Sequence, residues 1–110
     1  MMFPYGVKIL VATQPIDMRK GFDSLSAYVQ GELRKELFAE QLFVFRDKRK
    51  QRIKILYWDR TGFVLWYKRL AKGRFRFPNV HDKIFKINNS ELNLLLEGIE
   101  LTHAQRFSVL

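Results

Sequence analysis

The spacing of hydrophobic residues changes along the chain, and each change marks an element. Val7-Lys8-Ile9-Leu10-Val11-Ala12 is a β-branched run halted by Gln14-Pro15, which predicts a first strand and a turn. Phe22, Leu25, Val29 and Leu33 then recur at the three- and four-residue spacing of one helical face. A helix is therefore expected over about 20–36, with Asp17 as its cap and Gly21 and Gly31 weakening it slightly.

From Leu42 the period falls to two, with turn signals at Asp47 to Gln51, Arg60-Thr61-Gly62 and Ala71-Lys72-Gly73. Gly62 and Gly73 fall where a type I turn followed by a bulge needs a positive φ. That turn chemistry sets Asp59 opposite Phe63 and Leu70 opposite Arg74. Ile53, Ile55, Tyr57, Phe63, Leu65, Tyr67, Phe75 and Phe77 then share one face, the expected core beneath the first helix. The other face collects Arg52, Lys54, Leu56, Trp58, Val64, Trp66, Lys68, Leu70, Arg74 and Arg76. Which of the pairs Leu42/Val44 and Phe43/Phe45 points inward stays open, because the length of the first hairpin loop is ambiguous. After Pro78, Asn89-Ser90 opens a short helix over about 90–97 that Gly98 stops.

The expected fold is a single α+β domain over residues 1–110, with no linker or internal repeat to divide it. Its sheet is an antiparallel β-meander of about four strands. An N-terminal strand and helix pack on one face, and a short C-terminal helix follows. The core spans about residues 5–98, and residues 99–110 are expected as a loose tail.

Composition narrows the function. Hydrophobic residues make up 47% and aromatic ones 15%, enough for a core and unlike a disordered basic tail. No cysteine is present, which excludes disulfides, thiolate zinc sites and cysteine nucleophiles. The longest apolar run, Phe63 to Tyr67, is far short of the ~20 residues of a membrane helix, and Met1 to Thr13 lacks the order of a signal peptide. A cytoplasmic location with no membrane partner is the expectation.

The net charge is +9, unevenly placed. Residues 1–86 hold 19 Lys+Arg and 8 Asp+Glu, net +11, whereas residues 87–110 hold one Arg and three Glu, net −2. Such a field attracts polyanions, because cations that neutralise phosphates release condensed counterions. The plain alternative is a solvated surface that keeps the protein dissolved. Arg46, Lys48, Arg49, Lys50, Arg52 and Lys54 crowd one hairpin tip; Lys68, Arg69, Lys72, Arg74 and Arg76 crowd another. Between them Trp58 and Trp66 stand on the basic face, where exposed rings stack on unpaired bases at ~1–3 kcal/mol each. The tryptophans could equally be buried, or form with Leu56 and Val64 an apolar patch for a protein partner.

Catalysis has little support. Asp17, Asp23, Asp47, Asp59 and Asp82 are the acids a two-metal site would need, but each has a cap, turn or pairing role and no three converge. His81 and His103 have no paired ligand at helical spacing, no serine has the surroundings of a nucleophile, and the glycines form no phosphate-binding loop. No cofactor, metal or catalytic residue is expected.

Four segments together carry a resemblance: Asp17-Met18-Arg19-Lys20-Gly21-Phe22-Asp23-x-Leu25; Leu42-Phe43-Val44-Phe45-Arg46; Ile53-Lys54-Ile55-Leu56-Tyr57-Trp58-Asp59-x-x-Gly62-Phe63; and Tyr67-Lys68-Arg69-Leu70-x-x-Gly73-Arg74-Phe75. Over about residues 5–98 they closely resemble the TnpB-type accessory proteins, products of the second open reading frame of bacterial insertion sequences of the sixty-six family. These are unrelated to the RNA-guided nuclease that shares the name. The chain departs from the family pattern at Ser24, often Gly, and at Arg60-Thr61, usually a smaller or more acidic pair.

The resemblance implies a small partner of a separate transposase that itself carries the catalytic acids. Combined with the charge, it leads to the expectation of a non-catalytic DNA-binding accessory factor for transposition, acting on element ends, including unpaired or distorted DNA. The residues expected to bind nucleic acid are Arg19, Lys20, Lys48, Arg49, Lys50, Arg52, Lys54, Trp58, Trp66, Lys68, Arg69, Lys72, Arg74 and Arg76. Gly21 and Phe22 are expected to be structural. The alternative is an interaction module that binds the transposase or self-associates through the Leu56/Trp58/Val64/Trp66 patch, with DNA contact incidental.

Overall fold

The computed structural model describes Phe3, residues 6–99 and the backbone of Ser108 and Val109. Its strands are β1 (Lys8–Ala12), β2 (Gln41–Arg46), β3 (Arg52–Trp58), β4 (Phe63–Arg69), β5 (Ile84–Ile87) and β6 (Ser108–Val109). Two helices, α1 (Phe22–Gly31) and α2 (Asn89–Leu96), complete an α+β domain. The sheet order is β4-β3-β2-β1-β5-β6. β1 runs parallel to β2, and the remaining neighbours are antiparallel.

Both faces of this sheet are buried. Leu10, Ala12, Phe43, Phe45 and Leu56 pack under Leu25, Val29 and Leu33 of α1 and the segment after it. Ile9, Val11, Leu42, Val44, Ile53 and Ile55 pack on the other side under Leu92, Leu95 and Leu96 of α2, with Phe3 and Phe75. The question over β2 is thereby answered for both pairs: Leu42 and Val44 face α2, and Phe43 and Phe45 face α1. β1, expected on one face of the sheet, is one of its central strands.

The β3–β4 register differs from the expected one by a single residue. Trp58 pairs with Phe63 and Lys54 with Tyr67, closed by a two-residue loop in which the Asp59 N–H donates to the Gly62 carbonyl at 2.9 Å. Arg60, at φ +82°, takes the left-handed position, and Gly62 does not. The Asp59 carboxylate receives the N–H of Gly62 at 3.1 Å and fixes the loop. In a strand, slipping by one residue exchanges every side chain between faces. Phe63, Leu65 and Tyr67 consequently lie with Lys54, Leu56 and Trp58 on the α1 side, and Val64, Trp66 and Lys68 lie with Ile53, Ile55 and Tyr57 on the α2 side.

The expected strand over 74–77 is replaced by irregular chain. The Leu70 N–H donates to Gln51 at 2.9 Å and the Phe75 N–H to the Lys50 carbonyl at 2.6 Å, so this segment turns back across the sheet end and delivers β5 beside β1. Phe75, fully buried, anchors the crossing. Gly73 does take the positive φ expected of it, at +73°.

α1 is shorter than its periodicity predicts: it ends at Gly31 with Glu32 as C-cap, and Arg34 then adopts φ +53°. Its N-cap is Gly21 rather than Asp17. Leu25 and Val29 are buried, but Phe22 is 37% exposed and meets Phe63 at a 4.8 Å centroid distance. α2 agrees closely with its sequence signals. The Asn88 side chain and the Glu91 carboxylate form a reciprocal capping box, and the N–H of Gly98 (φ +77°) and of Ile99 return to Leu95 and Leu94. Of the tail expected over 99–110, the backbone of Ser108–Val109 pairs with β5; residues 100–107, with His103, lie outside the described residues.

Candidate nucleic-acid interface

The strand directions bring the C-terminal ends of β1, β2 and β4 together with the N-terminal ends of β3 and β5. Two cationic segments far apart in sequence meet at this end. The β2–β3 loop carries Lys48, Arg49 and Lys50, and Lys72, Arg74 and Arg76 follow β4, joined to that loop by the Phe75-to-Lys50 hydrogen bond. Lys48, Arg49, Lys72, Arg74 and Arg76 are exposed and Lys50 is half-buried. Arg52 and Arg69, directly paired across β3 and β4, continue the charge along the sheet margin. The sheet thus has a basic pole.

The carboxylates at this pole are engaged locally. Asp47 Oδ1 accepts the N–H of Gln51 and of Arg52 at 2.8 and 3.1 Å, which shapes the loop that presents the lysines. Arg46 is structural as well: it donates to the Thr13 carbonyl at 2.7 Å and lies over the Phe77 ring, and its burial lowers the guanidinium pKa against the opposing pull of Asp47.

The turn before α1 docks at the same end, where the Ile16 N–H donates to the Arg46 carbonyl at 2.9 Å. Asp17 chelates Arg19 through Nε and Nη2, the latter at 2.6 Å, and this hydrogen-bonded fork holds the carboxyl well below the usual carboxylate range. Lys54 pins the turn from below, with Nζ donating to the Met18 and Lys20 carbonyls at 2.8 and 2.7 Å. Between this turn and β4 lies an open groove of about 610 Å³ lined by Asp17, Met18, Arg19, Arg52, Lys54, Leu65 and Tyr67.

The expected site residues therefore divide. Arg19, Lys20, Lys48, Arg49, Lys50, Arg52, Arg69, Lys72, Arg74 and Arg76 gather at or beside the pole. Lys54 is there too, but its ammonium is held by two carbonyls. Lys68 faces α2 and donates to the Leu96 carbonyl at 2.7 Å, satisfying the helix C-terminus. The two tryptophans are not on one face. Trp58 lies on the α1 side at the far end of the sheet, packed between Phe38 and Phe63 at 5.3 and 4.9 Å; Trp66 lies on the α2 side against Phe3 at 5.4 Å. The expected Leu56/Trp58/Val64/Trp66 patch does not form, since Leu56 is buried under α1 and Val64 faces the opposite side.

Tyr67, expected in the core, is instead 49% exposed and walls the groove. The sequence signal for it is conditional: given the correct β3–β4 pairing, Tyr67 falls opposite Lys54 and next to the Arg52–Arg69 pair. Among the described residues no three of His, Cys, Asp and Glu come together as a metal site, and no helix is long and apolar enough to cross a membrane. Asp17, Asp23 and Asp59 are placed respectively in the turn before α1, in the first turn of α1, and in the β3–β4 loop at the far end of the sheet.

The model of a family described as IS66 Orf2 like protein matches residues 7–106. The chain is also 40% identical over 101 residues to an uncharacterized protein of Sinorhizobium fredii, y4jC, covering 92% of this chain and 86% of the relative. A second uncharacterized protein of that organism, y4hO, is 38% identical over 106 residues, covering 94% and 92%. No solved structure matches. The chain belongs to the IS66 Orf2-like family, and this membership associates it with insertion-sequence transposition as an accessory protein.

Proposed function

From membership of the IS66 Orf2-like family as premise, we propose that the protein is a non-catalytic DNA-binding accessory factor that acts beside a separate transposase. The observation that carries this reading is the convergence of the two cationic loops and the Arg19–Lys20 turn at one end of the sheet. Five adjacent strands at ~4.8 Å spacing make this end about 20 Å wide, which covers about six base-pair steps at ~3.4 Å of rise along a duplex axis. Flexible Lys and Arg side chains suit phosphate contacts, which fix position on the backbone without reading sequence.

The test is titration of the pure protein against element-end duplex, scrambled duplex and single strand at several salt concentrations. With about 5–7 phosphates neutralised, log affinity should fall against log salt with a slope of about −4 to −6 on duplex. Absence of binding, or a flat salt response, overturns the reading.

A second reading draws on the far end of the sheet. There Phe38, 62% exposed, meets Trp58 and Phe63 at 5.3 and 5.1 Å, and Phe22 extends the cluster. Exposed apolar rings of this kind favour contact with the transposase or a second copy, and Phe38→Ser retaining DNA affinity while losing such association would support that role.

A further inference from the structure

The aromatic ring best placed to meet nucleic acid is Tyr67. Trp58, Trp66, Phe63 and Phe77 all pack against other rings, whereas among the described residues Tyr67 contacts no aromatic ring. Its ring contact is with the Lys54 ammonium, 5.9 Å from the centroid. That ammonium is held by the Met18 and Lys20 carbonyls, so a cation is tethered over the ring.

Tyr67 lies toward the end of an edge strand. The Leu70 N–H bonds to Gln51, which sets the alternation so that Val64, Trp66 and Lys68 turn their backbone groups toward β3. Tyr67 belongs to the alternate set on the outermost strand, and its side chain stands on the α1 side beyond the cover of α1. The groove it walls, about 610 Å³, falls within the ~300–1,000 Å³ typical of small-ligand sites and is roomy for one nucleotide.

Cationic donors surround this wall. Arg52 Nε is buried and ion-pairs with Asp47 Oδ2 at 3.9 Å, which leaves the outer guanidinium nitrogens of this partly exposed side chain toward the groove, and Asp17 occupies Nε and Nη2 of Arg19 while leaving Nη1. A flat aromatic wall, an immobilised ammonium and two guanidinium groups suit a planar base joined to a phosphate. We propose that the groove between the Asp17–Lys20 turn and β4 holds one unpaired nucleobase of a DNA strand, stacked on Tyr67, with Arg52 and Arg19 on the flanking phosphate. The proposal rests on the DNA-binding reading above and adds a preference for unpaired over fully paired DNA, since a base inside a duplex cannot enter the groove.

The experiment compares wild type, Tyr67→Ala and Tyr67→Phe on three probes: an oligo(dT) strand, the same strand with abasic sites, and a blunt duplex. Wild type should bind oligo(dT) more tightly than the abasic strand. Tyr67→Ala should lose about tenfold on oligo(dT) and change less than about twofold on duplex, with Tyr67→Phe near wild type. A Tyr67→Trp variant adds a direct readout: its added emission should be quenched by oligo(dT) and not by the abasic strand. Equal affinity of wild type and Tyr67→Ala for oligo(dT), or no distinction between oligo(dT) and the abasic strand, overturns the proposal while duplex binding leaves the parent reading intact. Failure of wild type to bind any of the three overturns both.

Discussion

At the scale of single residues, a basic side chain within a strand is not always a free cation. Lys54 and Lys68 are both basic residues within strands, and both are used to satisfy backbone carbonyls: Lys54 those of the turn before α1, Lys68 that of Leu96. A sequence reading counts them with the free cations because nothing in their local pattern names a distant carbonyl. Lys54→Met keeps the aliphatic stem and removes the donor, leaving two carbonyls to water or to nothing. The loss should be about 1–2 kcal/mol, toward the low end for charged hydrogen bonds because one of the two is solvent-exposed. For a domain of this size that is a fall in Tm of roughly 4–10 °C by calorimetry. A Tm unchanged within about 1 °C would mean that the tether carries no stability.

The elements were legible to different depths, and the reason lies in how each is buried. α2 announces itself through the polar Asn89-Ser90 start before Glu91 and the Gly98 stop, because caps are local chemistry, although the capping side chain is that of Asn88, one residue earlier. β1, β2 and the body of α1 follow from apolar runs and spacing. The β3–β4 register does not, because α1 and α2 cover opposite faces of the sheet and the strands carry apolar residues on both. Alternation identifies a face only when one side is wet. Gly62 then misleads, since glycine is the usual occupant of a positive φ, whereas here Arg60 holds it and the Asp59 carboxylate secures the loop. That single residue moved Tyr67 out of the expected core and separated the two tryptophans.

Substitution in the loop tests this register directly. Gly62→Ala should be nearly neutral, since Gly62 lacks a positive φ and an added Cβ meets nothing within 4 Å. Arg60→Gly should stabilise by about 0.5–1 kcal/mol, as relief of a left-handed residue outweighs the added chain entropy. The reverse pattern in denaturant unfolding, with Gly62→Ala losing ~1 kcal/mol or more, would favour the three-residue turn and the other register.

For the whole molecule, the decisive property is where the fold collects charge rather than how much charge there is. The sequence shows the excess of cations over residues 1–86 and the two dense runs, but it treats the runs as separate loops flanking a face. Their union depends on the chain crossing the sheet end after β4, through the Leu70–Gln51 and Phe75–Lys50 hydrogen bonds between residues about 20 positions apart in sequence, and no local pattern encodes that. Lys8 and Arg60, by contrast, sit at the far end, at the start of β1 and in the β3–β4 loop. Two pairs of substitutions can therefore remove equal charge from opposite ends of the sheet.

The most direct measurement is the salt dependence of duplex affinity for Lys48→Gln/Arg49→Gln beside Lys8→Gln/Arg60→Gln, each lowering the net charge of +9 by two. Lys50 is left in place because it holds φ +60° and its carbonyl receives Phe75. If the basic pole grips the phosphate backbone, the first pair should lose about tenfold or more in affinity and flatten the log–log salt slope by about 1–2, at ~0.9 per phosphate contact. The second pair should stay within about twofold of wild type with its slope unchanged. Equal losses for the two pairs would contradict the account, because they would show the charge acting as a diffuse field with no pole at which DNA is held.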